Sequence, residues 1–544
     1  MLNAFLLVAL PLLVVLVYEK LRYKRLVQYA NFPQPPTSLL LGHLKVFDKF
    51  AKHGHSDRHP DTTFSEMHKS IGCPPLMLID FRPMVSQPMV FVTNYGIAEQ
   101  LSRSSKLFPT SVSKSKMGHL RHLTGPTSIV NVDGDNWKAL RKRFNPGFAP
   151  EHLMTLIPRL LDKIMIFTKH LDTFAKTKSK FSLMSLIGNL TFDVIGVVVM
   201  DVDLKAQHLD SSQQGQLFQL YTRLSGTYWD EKANLPLWIA PGVEIKRRRL
   251  EKQIDAIIKS MIREKYAENQ ARRSDNKESR SILSLSLHGT KALSRELVDV
   301  TCDQVKTFLL AGHDTLSPTL AFVFYELSRT PRALAAVRAE LDDLLGTNPE
   351  PEAVRARLLL PDGPDLINRM PYMAAVLKET LRLHPPAGTV RYSEPGTGLT
   401  VHTPAGEEYC LDGLAIYNCP SIIHRDPIVY GETADQFVPE RWLDDHADNG
   451  FGSVPTGAWR PFERGPRNCI GQEFANIEAR AIIALVIRRF VFTKVGLGRL
   501  DLDDDGRPIL GKEGQYQVDS EVYKVRQITQ KPADGMMVTV QVLP

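Results

Sequence analysis

The sequence predicts a mainly α-helical body with small β-sheets, preceded by one N-terminal helix suited to a membrane. Three observations carry this. Apolar residues recur at helical spacing over 151–176, 183–200, 213–227, 244–270, 294–328, 331–346, 371–384 and 472–490. Alternating, β-like runs are short: MLID and MVFVTN within 77–94, and MMVTVQVL near the end, too few for a sheet protein. The chain opens MLNAFLLVALPLLVVLVYEKLRYKR, uncharged from Ala4 to Tyr18 and then basic at Lys20, Arg22, Lys24 and Arg25.

The order of charges decides how that opening is read. A cleavable signal carries its positive charges before the apolar run and a small-residue site after it. Here the charges come after, and no A-x-A site is present. The stretch is short for a span, which snorkelling flanks and local bilayer thinning accommodate. The positive-inside rule then keeps the rest of the chain cytoplasmic. A buried core helix with a basic collar is the competing reading. Pro33, Pro35 and Pro36 disfavour helix and suggest a stiff, extended hinge. The expected division is an anchor at 1–19, a basic and proline-rich hinge at 20–45, and a globular domain at 46–544. This topology keeps the sequon Asn189-Leu190-Thr191 from the glycosylation machinery.

Of the 544 residues, 43% are hydrophobic and 23% charged, as expected of a well-packed globular protein. The net charge of +7 is mild for the length. Its densest run, Lys246 to Arg249, lies beside acids on a predicted helix, which reads as a solvated face and not as a nucleic-acid patch. Cys73, Cys302, Cys410, Cys419 and Cys469 are odd in number and form no C-x-x-C pair. That argues against a disulfide scaffold or structural zinc, and for a reducing compartment.

Cys469 sits in FERGPRNCIG, residues 462–471. Gly465 and Pro466 are turn residues, and a helical pattern follows the cysteine directly. A thiol at a helix N-terminus meets unpaired N–H groups and the positive dipole end, which favour thiolate. Arg467 adds a cation shaped for a carboxylate, and Gly471 lets the backbone pass close to something bulky. These are the needs of a thiolate bound to haem iron. A free, half-buried cysteine in a turn before a helix fits the decapeptide equally well.

The stretch resembles the haem-binding loop of the cytochrome P450 family, F-x-x-G-x-R-x-C-x-G, with Phe462, Gly465, Arg467, Cys469 and Gly471 at every fixed position. The resemblance implies haem b with Cys469 as axial ligand, Arg467 on a haem propionate, and Phe462 packed beside the sulfur to tune the iron's potential. KTFLLAGHDTLSPTLAFVFYELS resembles the long helix that crosses the haem, with A-G-x-[DE]-T as Ala311, Gly312, His313, Asp314 and Thr315. Ala311 and Gly312 are small enough for close approach to the porphyrin, while Thr315 and Asp314 would manage protons. Pro318 cannot bond the Asp314 carbonyl, so a kink or widened turn is expected there, with that carbonyl free for water or Ser317.

Other landmarks follow in family order. E-x-x-R appears as Glu379 and Arg382, and P-E-R-W as Pro439 to Trp442, which implies a buried Glu379–Arg382–Arg441 network. Trp137 and Arg141, four apart, share a helix face and could both reach a propionate. Arg391 is a further propionate candidate. Lys138, Lys142 and Arg143 offer either a docking surface for a redox partner or a solvated face. The region 108–130 and the apolar loop around Leu235 to Ile239 are expected to line and cover a substrate entrance on the bilayer side.

The resemblance, from about residue 30 to the C-terminus, implies a haem-thiolate fold. It also implies a monooxygenase that inserts one oxygen atom from O2 into a lipophilic substrate by hydroxylation, epoxidation or desaturation. Electrons would come from a separate NADPH–haemoprotein reductase, since no flavin or NADPH module follows the haem domain. Such members are anchored in the endoplasmic reticulum with the catalytic domain facing the cytoplasm. The texture of AGHDT, ETLRLHPPAG and the F-P-Q-P-P hinge is similar to filamentous-fungal enzymes that oxidise polyketides or related secondary metabolites. Two alternatives stay open: an O2-independent haem-thiolate isomerase or dehydratase, and a non-catalytic haem protein. The presence of Thr315 and Asp314 argues against both.

Overall fold

The helix signals written into the sequence are used where they stand. Ser182 caps the Leu183–Met200 helix by accepting from Ser185 N, and Ser294 caps Arg295–Arg329 by accepting from Leu297 N at 3.1 Å. Pro331 and Pro371 open the helices Pro331–Leu345 and Pro371–Leu383, where a missing N–H costs nothing. In this computed structural model the described residues are 2–114, 118–229, 241–272, 281–443 and 453–543. They fall into two units. The loop expected to cover the entrance, Leu235 to Ile239, lies outside the described residues.

The larger unit comprises Lys116–Ala387, Asp435–Ser453 and Cys469–Pro544. Its core is built where Leu183–Met200 packs along Arg295–Arg329. By length and a mean hydropathy of 1.9 the first of these helices could cross a membrane, but 78% of it is buried in the protein, so it is a core helix. Thr191 of the sequon is fully buried within it. Arg295–Arg329 runs unbroken through Pro318. The Asp314 carbonyl that Pro318 leaves unbonded is not taken by Ser317: it accepts from Thr529 Oγ1 at 2.9 Å. Thr529 lies on a two-stranded ladder, Lys524–Gln527 with Thr529–Pro532. A three-stranded antiparallel sheet, Phe181–Ser182, Met537–Val542 and Phe490–Lys494, completes the unit. In the basic run, Lys246, Arg248 and Arg249 are exposed, whereas Arg247 turns inward onto Thr227 and the Tyr228 ring.

The smaller unit comprises Met1–Ser115, Gly388–Ala434 and Val454–Asn468. Four short strands form its main sheet in the order Leu76–Ile79, Met89–Val92, Ala415–Asn418, Thr389–Tyr392. All four are four residues long; the first two stand out in the sequence as continuous apolar runs, whereas the other two carry polar residues. The chain enters as the helix Leu2–Arg22, whose side chains from Leu12 to Tyr18 are all exposed and apolar. The segment read as an extended hinge folds back onto this sheet. Arg25 is buried, with Nη1 2.5 Å from Asp80 Oδ2. Phe32 enters the core, Pro33 O accepts from Leu78 N at 2.9 Å, and the His43 ring bridges Pro35 O and Asp80 N. Arg25 is therefore an internal counter-charge, not part of an exposed basic collar.

Candidate functional site

In the larger unit the candidate ligand is placed as its sequence context requires. Cys469 is exposed and stands just before the helix Gln472–Val486, whose N-cap is Gly471. The orphan N–H groups and dipole of that terminus favour the thiolate. A Cβ on Gly471 would make ordinary contact with Cys469 Sγ at 3.9 Å and Phe148 Cε1 at 4.0 Å.

The helix Gly134–Phe144 brings Arg141 within electrostatic reach of that sulfur. Burial lowers the Arg141 pKa, and the Cys469 thiolate works against the drop. Trp137, one turn earlier on the same face, is buried. Arg143 does not belong to an outward basic surface. It donates to Ser286 O at 2.9 Å and Thr301 Oγ1 at 2.8 Å, and burial pulls its pKa down to about 10. Lys138 and Lys142 remain exposed, and Lys138 is paired with Asp135.

The central helix shows where a bulky group would lie. From Thr301 to Leu327 every residue is buried except Ala311, Gly312, His313 and Thr315. Ala311 is fully exposed in the middle of an otherwise enclosed helix. Ala311 and Thr315, four apart, share one face, and the Thr315 hydroxyl donates to Ala311 O at 2.8 Å. Gly312 is small for a different reason from the one expected. A Cβ there would come within 2.7 Å of Ile195 Cδ1, so its missing side chain lets two core helices touch.

Asp314 is buried, and neither of its oxygens is idle. Lys531 Nζ lies 2.5 Å from Oδ1, and Thr529 Oγ1 donates to Oδ2 at 2.9 Å. Nothing local announces this partnership, because Lys531 stands 217 residues downstream in a short hairpin. His313 packs edge-on against Phe192 and Tyr221, and burial lowers its pKa.

The network predicted at Glu379 is present and larger than expected. Arg382 donates to both Glu379 oxygens, at 2.9 and 2.8 Å, and Arg441 Nε donates at 3.0 Å. Val438 N and Trp442 Nε1 each add a bond at 2.9 Å. The Glu379 and Arg382 side chains are fully buried, and Arg441 nearly so.

In the smaller unit, residues 462–468 form the first part of the cysteine loop. Phe462 meets the Trp459 ring edge-on at 6.1 Å. Gly465 has φ +75°, and a Cβ would lie 2.0 Å from Ser102 O, so only glycine fits. Arg467 is buried. Arg391 is fully buried and donates to Ser111 Oγ at 3.0 Å, Val112 O at 2.6 Å and Glu463 Oε2 at 3.1 Å. Sequence reasoning missed Glu463, which occupies a variable place in the motif. Burial alone would raise its pKa, but Arg460 and Arg391 overcome that and hold it at about 2.

The larger unit therefore offers an exposed thiol at a helix N-terminus, a guanidinium in electrostatic reach of it, and an exposed Ala311 on the central helix. That donor set fits a haem group with a thiolate ligand, and Cys469 is the thiol placed to hold it. Comparison agrees. The profile of the family described as cytochrome P450 matches residues 33–518. The chain is 31% identical over 500 residues to the cytochrome P450 monooxygenase acrF of Aspergillus aculeatus, covering 88% of this chain and 97% of that one. It is 25% identical over 459 residues to a bifunctional cytochrome P450/NADPH–P450 reductase of Aspergillus oryzae, covering 77% of this chain and 37% of that one. The fold is shared with a cytochrome P450DA haem domain at TM-score 0.69 and 19% identity, over 94% of this chain and 98% of that one. The chain belongs to the cytochrome P450 family, and its chemistry is that of a haem-thiolate monooxygenase.

Proposed function

We propose that this protein uses haem b to insert one oxygen atom from O2 into a lipophilic organic substrate in fungal secondary metabolism, with a polyketide-like compound as the substrate class. Its electrons come from a separate NADPH–haemoprotein reductase. The Leu2–Arg22 helix holds it in the endoplasmic reticulum membrane, with the body in the cytoplasm. Twenty-one residues at 1.5 Å each give about 31 Å, close to the hydrocarbon thickness of a bilayer. The exposed apolar side chains from Leu12 to Tyr18 support that placement. The monooxygenase relative from Aspergillus aculeatus supports the reaction class.

The observation that carries the reading is Cys469 exposed at a helix N-terminus with Arg141 in electrostatic reach. When bound, haem with a thiolate ligand supplies O2 activation and oxygen insertion. The residues of this chain prepare for it. Cys469 would hold the iron, from a helix terminus of the kind that favours thiolate. Trp137, Arg141, Arg391 and Arg467 are proposed to receive the propionates. Ala311 leaves room, and Thr315 Oγ1 holds a proton at that opening. Asp314, fixed by Lys531 and Thr529, orients the turn that carries Thr315. Phe462 is proposed to pack by the sulfur.

The ferrous–CO difference spectrum of membrane-expressed wild type beside Cys469→Ser tests this. A red-shifted Soret band that disappears in the variant is the expected outcome. A wild type that binds haem without that band would overturn thiolate ligation, and the oxygenase mechanism with it.

A further inference from the structure

The larger unit contains a half-open cleft of about 850 Å³ that no part of the proposed chemistry uses. It lies where the end of Arg295–Arg329 and the helix Pro331–Leu345 meet the strand Phe490–Lys494 and the segment 499–516. Its volume is within the range of about 300–1,000 Å³ typical of small-molecule sites. The walls are mainly apolar: Phe324, Leu334, Ile487, Phe492 and Leu502 all contribute.

Four charged side chains also line the cleft, and three of them do not decide its ligand. Lys494 is paired with Asp534 at 2.5 Å, Arg499 is paired with Asp519 at 3.2 Å, and Asp501 is an acid. Arg338 is different. Its Nε donates to Ile487 O at 3.0 Å, but its buried Nη2 has no hydrogen-bond partner. It has no ion-pair partner among the described residues. Asp342, one turn on, acts on it electrostatically, but its Oδ1 is committed to Arg488 at 2.9 Å. Burial lowers the Arg338 pKa, so the cation gains from an anion brought to it. An apolar cleft whose Arg338 has an idle Nη2 and no ion-pair partner among the described residues matches a molecule with a hydrocarbon body and a single carboxylate.

We propose that this cleft binds an amphipathic carboxylate, with the alkyl body against Phe324, Leu334 and Phe492 and the carboxylate on Arg338. The site is distinct from the cysteine and stands whether or not the proposed substrate class is right. The probe is decanoate, with decan-1-ol as its uncharged counterpart. Each is titrated calorimetrically into the haem-loaded full chain in nanodiscs, with the haem pocket saturated by an azole and empty nanodiscs as blank. Decanoate is expected to bind about tenfold more tightly than decan-1-ol, as a charge-assisted contact gives. Arg338→Met should erase that preference and Arg338→Lys should keep most of it. Leu334→Trp, which fills the cleft, should weaken both ligands at least tenfold. An unchanged CO spectrum checks folding, and if Arg338→Met fails that check, the Lys and Trp variants decide. No binding to the azole-saturated protein overturns the proposal. So do equal affinities for the two ligands, a preference that survives Arg338→Met, or binding indifferent to Leu334→Trp.

Discussion

Replacing Glu379 by glutamine tests the central energetic claim about this fold. The carboxylate accepts five hydrogen bonds, three of them from two guanidiniums, with Glu379 and Arg382 fully shielded from water. An exposed ion pair is worth about 0–1 kcal/mol, because water screens it. Here water is absent, so removing the anion takes their shared counter-charge from two buried cations, at a cost of about 3–5 kcal/mol. Glutamine keeps the shape but turns an NH2 toward groups that are themselves donors. The loss is a large fraction of the 5–15 kcal/mol that stabilises a typical domain. It should appear as a lower urea midpoint with an unchanged slope, accompanied by a weaker CO spectrum at equal protein. A midpoint within the equivalent of about 1 kcal/mol of wild type would place the network in the surface-pair class and refute the burial argument.

Three further outcomes follow from particular contacts. Gly312→Ala should cost about 1–3 kcal/mol by overpacking against Ile195, and Ile195→Ala in the same chain should recover part of it; thermal midpoints of the single and double variants read this out. Glu463 has a folded pKa of about 2 against an ordinary 4.5, so its contribution, about 3 kcal/mol, is complete above pH 4.5 and disappears as the pH falls toward 2. The stability gap between wild type and Glu463→Gln should narrow over that window, and a constant gap would contradict the assignment. Lys531→Met should destabilise by about 3–5 kcal/mol through the buried Asp314 charge, whereas adding Asp314→Asn should restore most of the loss in denaturant melts.

The helical skeleton was legible because periodicity and caps are local. The predicted segments 183–200, 294–328, 331–346 and 371–384 match Leu183–Met200, Arg295–Arg329, Pro331–Leu345 and Pro371–Leu383 to within a residue or two. The strands Thr389–Tyr392 and Ala415–Asn418 were not legible. They are no shorter than Leu76–Ile79 and Met89–Val92, but TVRY and AIYN interrupt their apolar residues with polar ones, and they pair across more than twenty residues of sequence. The Glu379 network was half legible. Spacing by three announced Glu379 with Arg382, but nothing local announced Trp442 Nε1 or Val438 N.

Some roles were decided by the sequence itself. A cysteine just before a helix, with Arg467 two residues earlier and glycines on either side, is placed where a thiolate is favoured, because pKa control at a helix terminus is a local effect. Glu379 and Arg382 likewise had to meet, because a helix puts positions three apart on one face. The tertiary structure decided which charges were already spoken for. Lys531 reaches Asp314 from 217 residues away, Glu463 takes two arginines, and Arg143 and Arg25 turn inward where the sequence suggested surface. Gly312 reads as room for a cofactor, yet Ile195 fills the space beside it. A charge or a gap acquires its meaning only from what stands opposite, and what stands opposite is set by packing between segments remote in the chain.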